Sequence, residues 1–127
     1  MGTDRDWPVV IVGVGNLGRA LLGHRGFEHQ GFQIVVAFDV DASKIGEKVE
    51  GRPVYGLDRL TDVARELGIR LGIIAVPVGA AQAMADRLVA AGVDGVLNFA
   101  PVILSLPERV HMVGVDLAME LEQLSFA

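Results

Sequence analysis

Gly13-Val14-Gly15-Asn16-Leu17-Gly18 is a G-x-G-x-x-G turn, and its setting constrains this chain more than any other feature. Directly before it, Pro8-Val9-Val10-Ile11-Val12-Gly13 is continuously apolar and β-branched, as in a strand buried on both faces. Directly after it, Leu17, Ala20, Leu21 and His24 recur at i, i+3, i+4 and i+7, a helical stripe. Strand, glycine turn and helix in this order open a doubly wound nucleotide-binding fold. Gly13 permits the tight turn, Gly15 lets backbone approach a pyrophosphate, and Gly18 lets the helix pack on the strand. The N–H groups from about Asn16 and Leu17 onward face the anion, with the helix dipole behind them. The plain alternative is a glycine-rich turn with no ligand.

The remaining pattern repeats the theme. Gln33–Asp39, Pro53–Tyr55, Leu71–Val76, Gly95–Asn98 and Val110–Gly114 read as strands. Leu60, Val63, Ala64 and Leu67 form a stripe that Gly68 terminates, and Ala81, Met84, Ala85 and Leu88 form one ended by Gly92. Val115 to Leu124 reads as a final helix. Alternating strands and helices predict an α/β fold: a doubly wound parallel sheet of Rossmann type, one domain over 1–127. Residues 99–109, with Pro101 and Pro107, are the longest stretch without periodicity, a candidate functional loop.

Composition excludes several classes. Fifty-one per cent of residues are apolar and 21% charged, so disorder is excluded. The absence of cysteine removes a disulfide framework, a thiolate metal site and a cysteine nucleophile. No apolar run approaches the roughly 18 residues that cross a bilayer, and Met1–Asp6 is polar, so a cytoplasmic protein is expected. A net charge of −5 without a basic run makes a poor nucleic-acid binder by itself.

Asp39 ends the second strand, where the fingerprint expects a carboxylate for the adenosine ribose. Its charge would repel a 2′-phosphate, and Val40-Asp41-Ala42-Ser43 holds no arginine, so NAD(H) is expected over NADP(H). Asp39 could instead merely cap a turn. Lys44 could reach the adenine side or be a solvated surface lysine. Val76-Pro77 and Asn98-Phe99-Ala100-Pro101 lie at carboxyl ends of strands and should wall the nicotinamide half. Those walls are mostly apolar, which favours the neutral NADH over the charged NAD⁺.

None of these residues supplies acid–base chemistry. His29 reads as exposed, His111 lies far from the turn in sequence, and His24 ends a helical stripe. No metal-ligand spacing and no catalytic constellation stands out, so the expectation is a binding protein with neither metal nor catalytic residues.

Gly13-Val14-Gly15-Asn16-Leu17-Gly18-Arg19-Ala20-Leu21, Phe38-Asp39-Val40-Asp41, Asn98-Phe99-Ala100-Pro101 and Val115-Asp116-Leu117, in this order, resemble the Rex redox-sensing transcriptional repressors. The resemblance runs from about Trp7 to Ala127. It implies the NAD(H)-sensing half of a repressor whose winged-helix DNA-binding domain precedes this one and is absent from this chain. It also implies a homodimer that exchanges its last helix. Cofactor contacts are then expected at the glycine turn, Asp39, Val40, Lys44, Val76-Pro77 and Asn98 to Pro101. His24, Asp116 and Leu117 fall at the sensing and dimer end. His24 stands where some members carry tyrosine and Leu117 where some carry phenylalanine, while Asp116 matches.

Two other readings share the fold: a fragment of an NAD-dependent dehydrogenase, and a CoA-binding module. The lack of an acid or base near the nicotinamide position counts against the first. Asp39 counts against the second, because CoA carries a phosphorylated ribose.

Overall fold

The computed structural model describes residues 7–24 and 26–115. Among them, seven strands form one sheet in the order β3-β4-β2-β1-β5-β6-β7. The strands are β1 (Trp7–Val12), β2 (Phe32–Asp39), β3 (Lys48–Val49), β4 (Arg52–Gly56), β5 (Leu71–Ile74), β6 (Gly95–Asn98) and β7 (His111–Gly114). All pairs are parallel except the β3–β4 hairpin. The chain leaves β1 toward β2 on one side and returns to β5 on the other, so β1 and β5 flank the topological switch point.

The helices are α1 (Asn16–Leu22), α2 (Gly26–His29), α3 (Leu60–Leu67) and α4 (Val78–Ala90). Helices α3 and α4 cover one face. There Leu60, Val63, Ala64, Ala81, Ala85 and Leu88 pack on Val10, Val12, Val36, Phe38 and Ile74. The other face carries Val9, Ile11, Ile34, Val54 and Ile73 under Val14 and Leu22. Gly68 ends α3 in the left-handed conformation, φ 63°, as the stripe predicted.

Several boundaries differ from the expectation. Helix α1 stops at Leu22, so His24 is not on its stripe; it is exposed and meets Phe27 edge-on at 5.2 Å. The buried face of α1 is Gly18 and Leu22, while Ala20 is exposed. Close packing at Gly18 sets this rotation: a Cβ there would overlap the Gly13 carbonyl oxygen. Strand β5 ends at Ile74 rather than Val76, because Pro77 already serves as the N-cap of α4. Leu67 is exposed, one turn beyond the covered part of α3. Helix α2, strand β3 and the 3-10 turn Leu57–Arg59 had no periodic signal, being two to four residues long. The last helix, Asp116 and Leu117 lie outside the described residues.

Candidate functional site

The turn after β1 is built by close contacts. Gly13 has φ +106°, and a Cβ on it would overlap the Ala75 carbonyl oxygen across the switch point. Gly13 N–H donates to Phe38 O at 2.8 Å, and Ala75 N–H donates to Val12 O at 2.9 Å. Three strand ends are thereby held together beneath the turn. Around Gly15 nothing lies within 4 Å of a would-be Cβ, so the backbone there faces open space. The first helical bond runs from Arg19 N–H to Gly15 O, and no side chain caps the helix. The N–H groups of Asn16, Leu17 and Gly18 thus have no partner within the helix, the usual anion-binding arrangement.

Asp39 stands beside this turn at the end of β2. One carboxylate oxygen accepts from Val14 N–H at 2.7 Å and the other from Asp41 N–H at 2.9 Å. Each oxygen keeps a further acceptor lone pair. Asp41 accepts in turn from the Ser43 amide at 3.0 Å and hydroxyl at 2.8 Å. The Ser43 hydrogen bonds hold the Asp41 carboxyl below its ordinary pKa. Lys44 is half-buried, and its Nζ donates to Val14 O at 2.8 Å.

A cleft of about 240 Å³ opens over these groups. It brings together Gly13, Val14, Gly15, Asp39, Val40, Lys44, Val76 and Pro77, all marked by the sequence. It adds Leu57, Ala80 and Met84, which the sequence reading passed over as site residues. Ala80 and Met84 lie one turn apart on α4, and only the helix's direction across the sheet aims them at the cleft.

The segment after β6 behaves differently. Asn98 is 2% exposed and its amide is occupied by its own loop: it donates to Val102 O at 2.9 Å and accepts from Ala100 N–H at 2.9 Å. Ala100 is buried in the core, Phe99 packs on the opposite face, and Pro101 is exposed. None of the four lines the cleft. The amide expected to face a ligand holds the loop instead, because a buried side-chain amide must find partners where it lies. His29 and His111 are both exposed, and His111 sits in β7.

A parallel sheet in this order, with a glycine turn and a strand-end carboxylate at its switch point, defines a Rossmann-type nucleotide-binding domain. The sequence profile of the family described as "CoA binding domain" matches residues 4–102, and the chain belongs to that family. Rex repressors are its homologues. The "Redox-sensing transcriptional repressor Rex" of Streptomyces coelicolor is 48% identical over 126 residues, 99% of this chain and 49% of that protein. The Rex of Carboxydothermus hydrogenoformans is 49% identical over the same share of this chain and 61% of its own. The chain therefore spans about half to three-fifths of the relatives it matches. The crystal structure of RSP, a Rex-family repressor, in complex with NADH superposes with a TM-score of 0.89 at 34% identity. That match covers 98% of this chain and 60% of RSP. RSP has also been solved with NAD⁺ and operator DNA, TM-score 0.88.

Proposed function

We propose that residues 1–127 bind NAD(H) and form the sensor and dimerisation part of a redox-sensing transcriptional repressor. The observation that carries this reading is the Asp39 carboxylate at the glycine turn, bonded to Val14 N–H at 2.7 Å with acceptor capacity left for ribose hydroxyls. The homology to Rex proteins and the RSP complexes with NADH and NAD⁺ support it. Gly13 to Gly18 take the pyrophosphate, Asp39 and Val40 the adenosine ribose, and Val76 and Pro77 the nicotinamide side. Asn98 to Pro101 act as the scaffold of that wall, and Lys44 flanks the turn.

The domain senses rather than catalyses. The charged side chains lining the cleft are Asp39, Asp41 and Lys44, all at its adenosine end, while Val76, Pro77, Ala80 and Met84 are apolar. Burying a cationic nicotinamide against such walls costs desolvation, so NADH binds more tightly than NAD⁺. Differential affinity of this kind is what lets a ligand shift a conformational equilibrium. The protein acts in the cytoplasm and reads DNA through a separate domain. Among the described residues, no helix is long and apolar enough to cross a membrane.

Pairing of two subunits completes the sensor. Leu117, Leu121 and Leu124 recur at helical spacing near the chain's end, and an apolar groove of about 340 Å³ runs from α2 and the start of β1 and β2 across β5, β6 and β7. Exchange of residues 115–127 between subunits would couple Asp116 and Leu117 to the partner's cofactor. Deleting 115–127 should leave a monomer with weaker NADH binding; a truncated dimer with unchanged affinity would refute the exchange.

CoA is the second reading, favoured by the family's description. Calorimetry with NADH, NAD⁺, NADPH and CoA in parallel separates them. NADH should bind tightest, with NADPH at least about tenfold weaker, or 1.4 kcal/mol. Equal affinity for NADH and NADPH, or preference for CoA, would overturn the assignment.

A further inference from the structure

Resting on the NAD(H) reading above, we propose that Lys44 is a positioning residue that fixes the glycine turn through its backbone rather than by touching the cofactor. The peptide units around Val14 lie between Gly13, at φ +106°, and Gly15, whose surroundings are open. A residue flanked by glycines is easily rotated, and rotation would turn the following N–H groups away from an anion. Here Val14 is gripped on both sides. Its N–H donates to Asp39 Oδ2 at 2.7 Å, and its carbonyl accepts from Lys44 Nζ at 2.8 Å.

The sequence that delivers Lys44 is a relay of short turns. Asp39 accepts the Asp41 amide, Asp41 accepts the Ser43 amide and hydroxyl, and Lys44 N–H donates to Asp41 O at 3.0 Å. Each carboxylate closes the next turn, so the chain after β2 folds back and sends Lys44 to a carbonyl 30 residues earlier. That bond fixes the Val14–Gly15 peptide, which immediately precedes the N–H groups of Asn16, Leu17 and Gly18 that have no partner within the helix. Lys44 thereby fixes the orientation in which the turn presents those N–H groups, through a carbonyl and not through the ligand.

The full chain with Lys44→Met tests this, with Lys44→Arg as the variant that retains a cationic donor. Two measurements are needed: amide hydrogen exchange of Val14 without ligand, and affinities for NADH, ADP and adenosine. In Lys44→Met the Val14 amide should exchange about tenfold faster. NADH and ADP, which need the pyrophosphate cradle, should bind about tenfold more weakly, while adenosine changes less than about twofold. Lys44→Arg should restore most of the exchange protection. Unchanged exchange, unchanged NADH affinity, or an adenosine loss as large as the NADH loss would overturn the proposal; the last would mean direct contact with the nucleoside. If the unaltered chain bound neither NADH nor ADP, the functional reading would fall. The exchange comparison, which needs no ligand, would still decide whether Lys44 holds the turn.

Discussion

The two faces of the sheet are stabilised by different means. On the α3/α4 face, Phe38, Leu60, Ile74, Ala81, Ala85 and Leu88 are all at most 2% exposed, and the polar ties of α4, Gln82 to Ser105 and Arg87 to Leu57 O, lie at its exposed rim. On the other face, α1 and α2 are only seven and four residues long, and Leu22 and Phe27 pack over part of β1, β2 and β4. Among the described residues a groove is left from α2 and the start of β1 and β2 across β5, β6 and β7, lined by Phe27, Val9, Ile34, Leu71, Ile73 and Leu97 among others. Here polar ties supplement packing. Arg52 Nε donates to Ile34 O at 2.9 Å, and Nη1 donates to Leu22 O at 3.1 Å and Glu50 O at 2.8 Å. One guanidinium thus joins the end of α1 to β2 and to the hairpin. The contrast is one of coverage: among the described residues the α3/α4 face is closed, and the α1/α2 face keeps an apolar groove.

The same substitution on the two faces gives the largest expected difference. Leu88→Ala removes a fully buried side chain and should cost about 2–5 kcal/mol in urea unfolding, independent of protein concentration. Leu97→Ala, on the groove, should cost less than about half of that in dilute protein and grow with concentration if a second subunit covers it. Equal, concentration-independent losses would erase the distinction between the faces.

Arg52→Met sharpens it at an intermediate size. Three backbone carbonyls lose a charged donor, two of them in the part-buried layer, so about 2 kcal/mol should be lost. Arg52→Lys should recover little, because a single ammonium cannot reproduce the planar fork. A neutral Arg52→Met would show that packing suffices on this face too.

The smallest effect belongs to the Glu28 partner of Arg52, at 3.5 Å with a half-exposed carboxylate. Glu28→Gln should change stability by less than about 0.5 kcal/mol, and added salt should erase the difference. A larger loss would mean the ion pair, rather than the carbonyl bonds, holds Arg52 in place.

Much of the site was legible because it depends on local geometry. Gly18 is required by a contact within one strand–turn–helix unit and Asp39 by its position at the end of the next strand, whereas the Ala75 carbonyl that crowds Gly13 comes near only when β1 and β5 pair. Lys44 was legible as a charge able to reach the adenine side or to stay solvated at the surface. Its actual acceptor, the Val14 carbonyl, comes near only when β1 and β2 pair. Asn98 was legible as a side-chain amide at a strand end, but its bonds to its own loop were not, since burial decides them. Helix α1 was misread in rotation, since the periodicity of Leu17, Ala20, Leu21 and His24 ignores the close approach that Gly18 makes.

The amino-acid sequence by itself determined the strand–turn–helix opening, the alternation that makes a parallel sheet, and the carboxylate opposite the turn. These follow from apolar period and glycine placement, which act over a few residues. The tertiary structure alone decided which face of α1 is buried, where the polar ends of Lys44, Asn98 and Arg52 bond, and which part of the sheet the described helices leave open. A long polar side chain can satisfy its hydrogen bonds in many ways. The choice among them is made by whichever carbonyls the fold brings within reach, and sequence spacing carries no record of that distance.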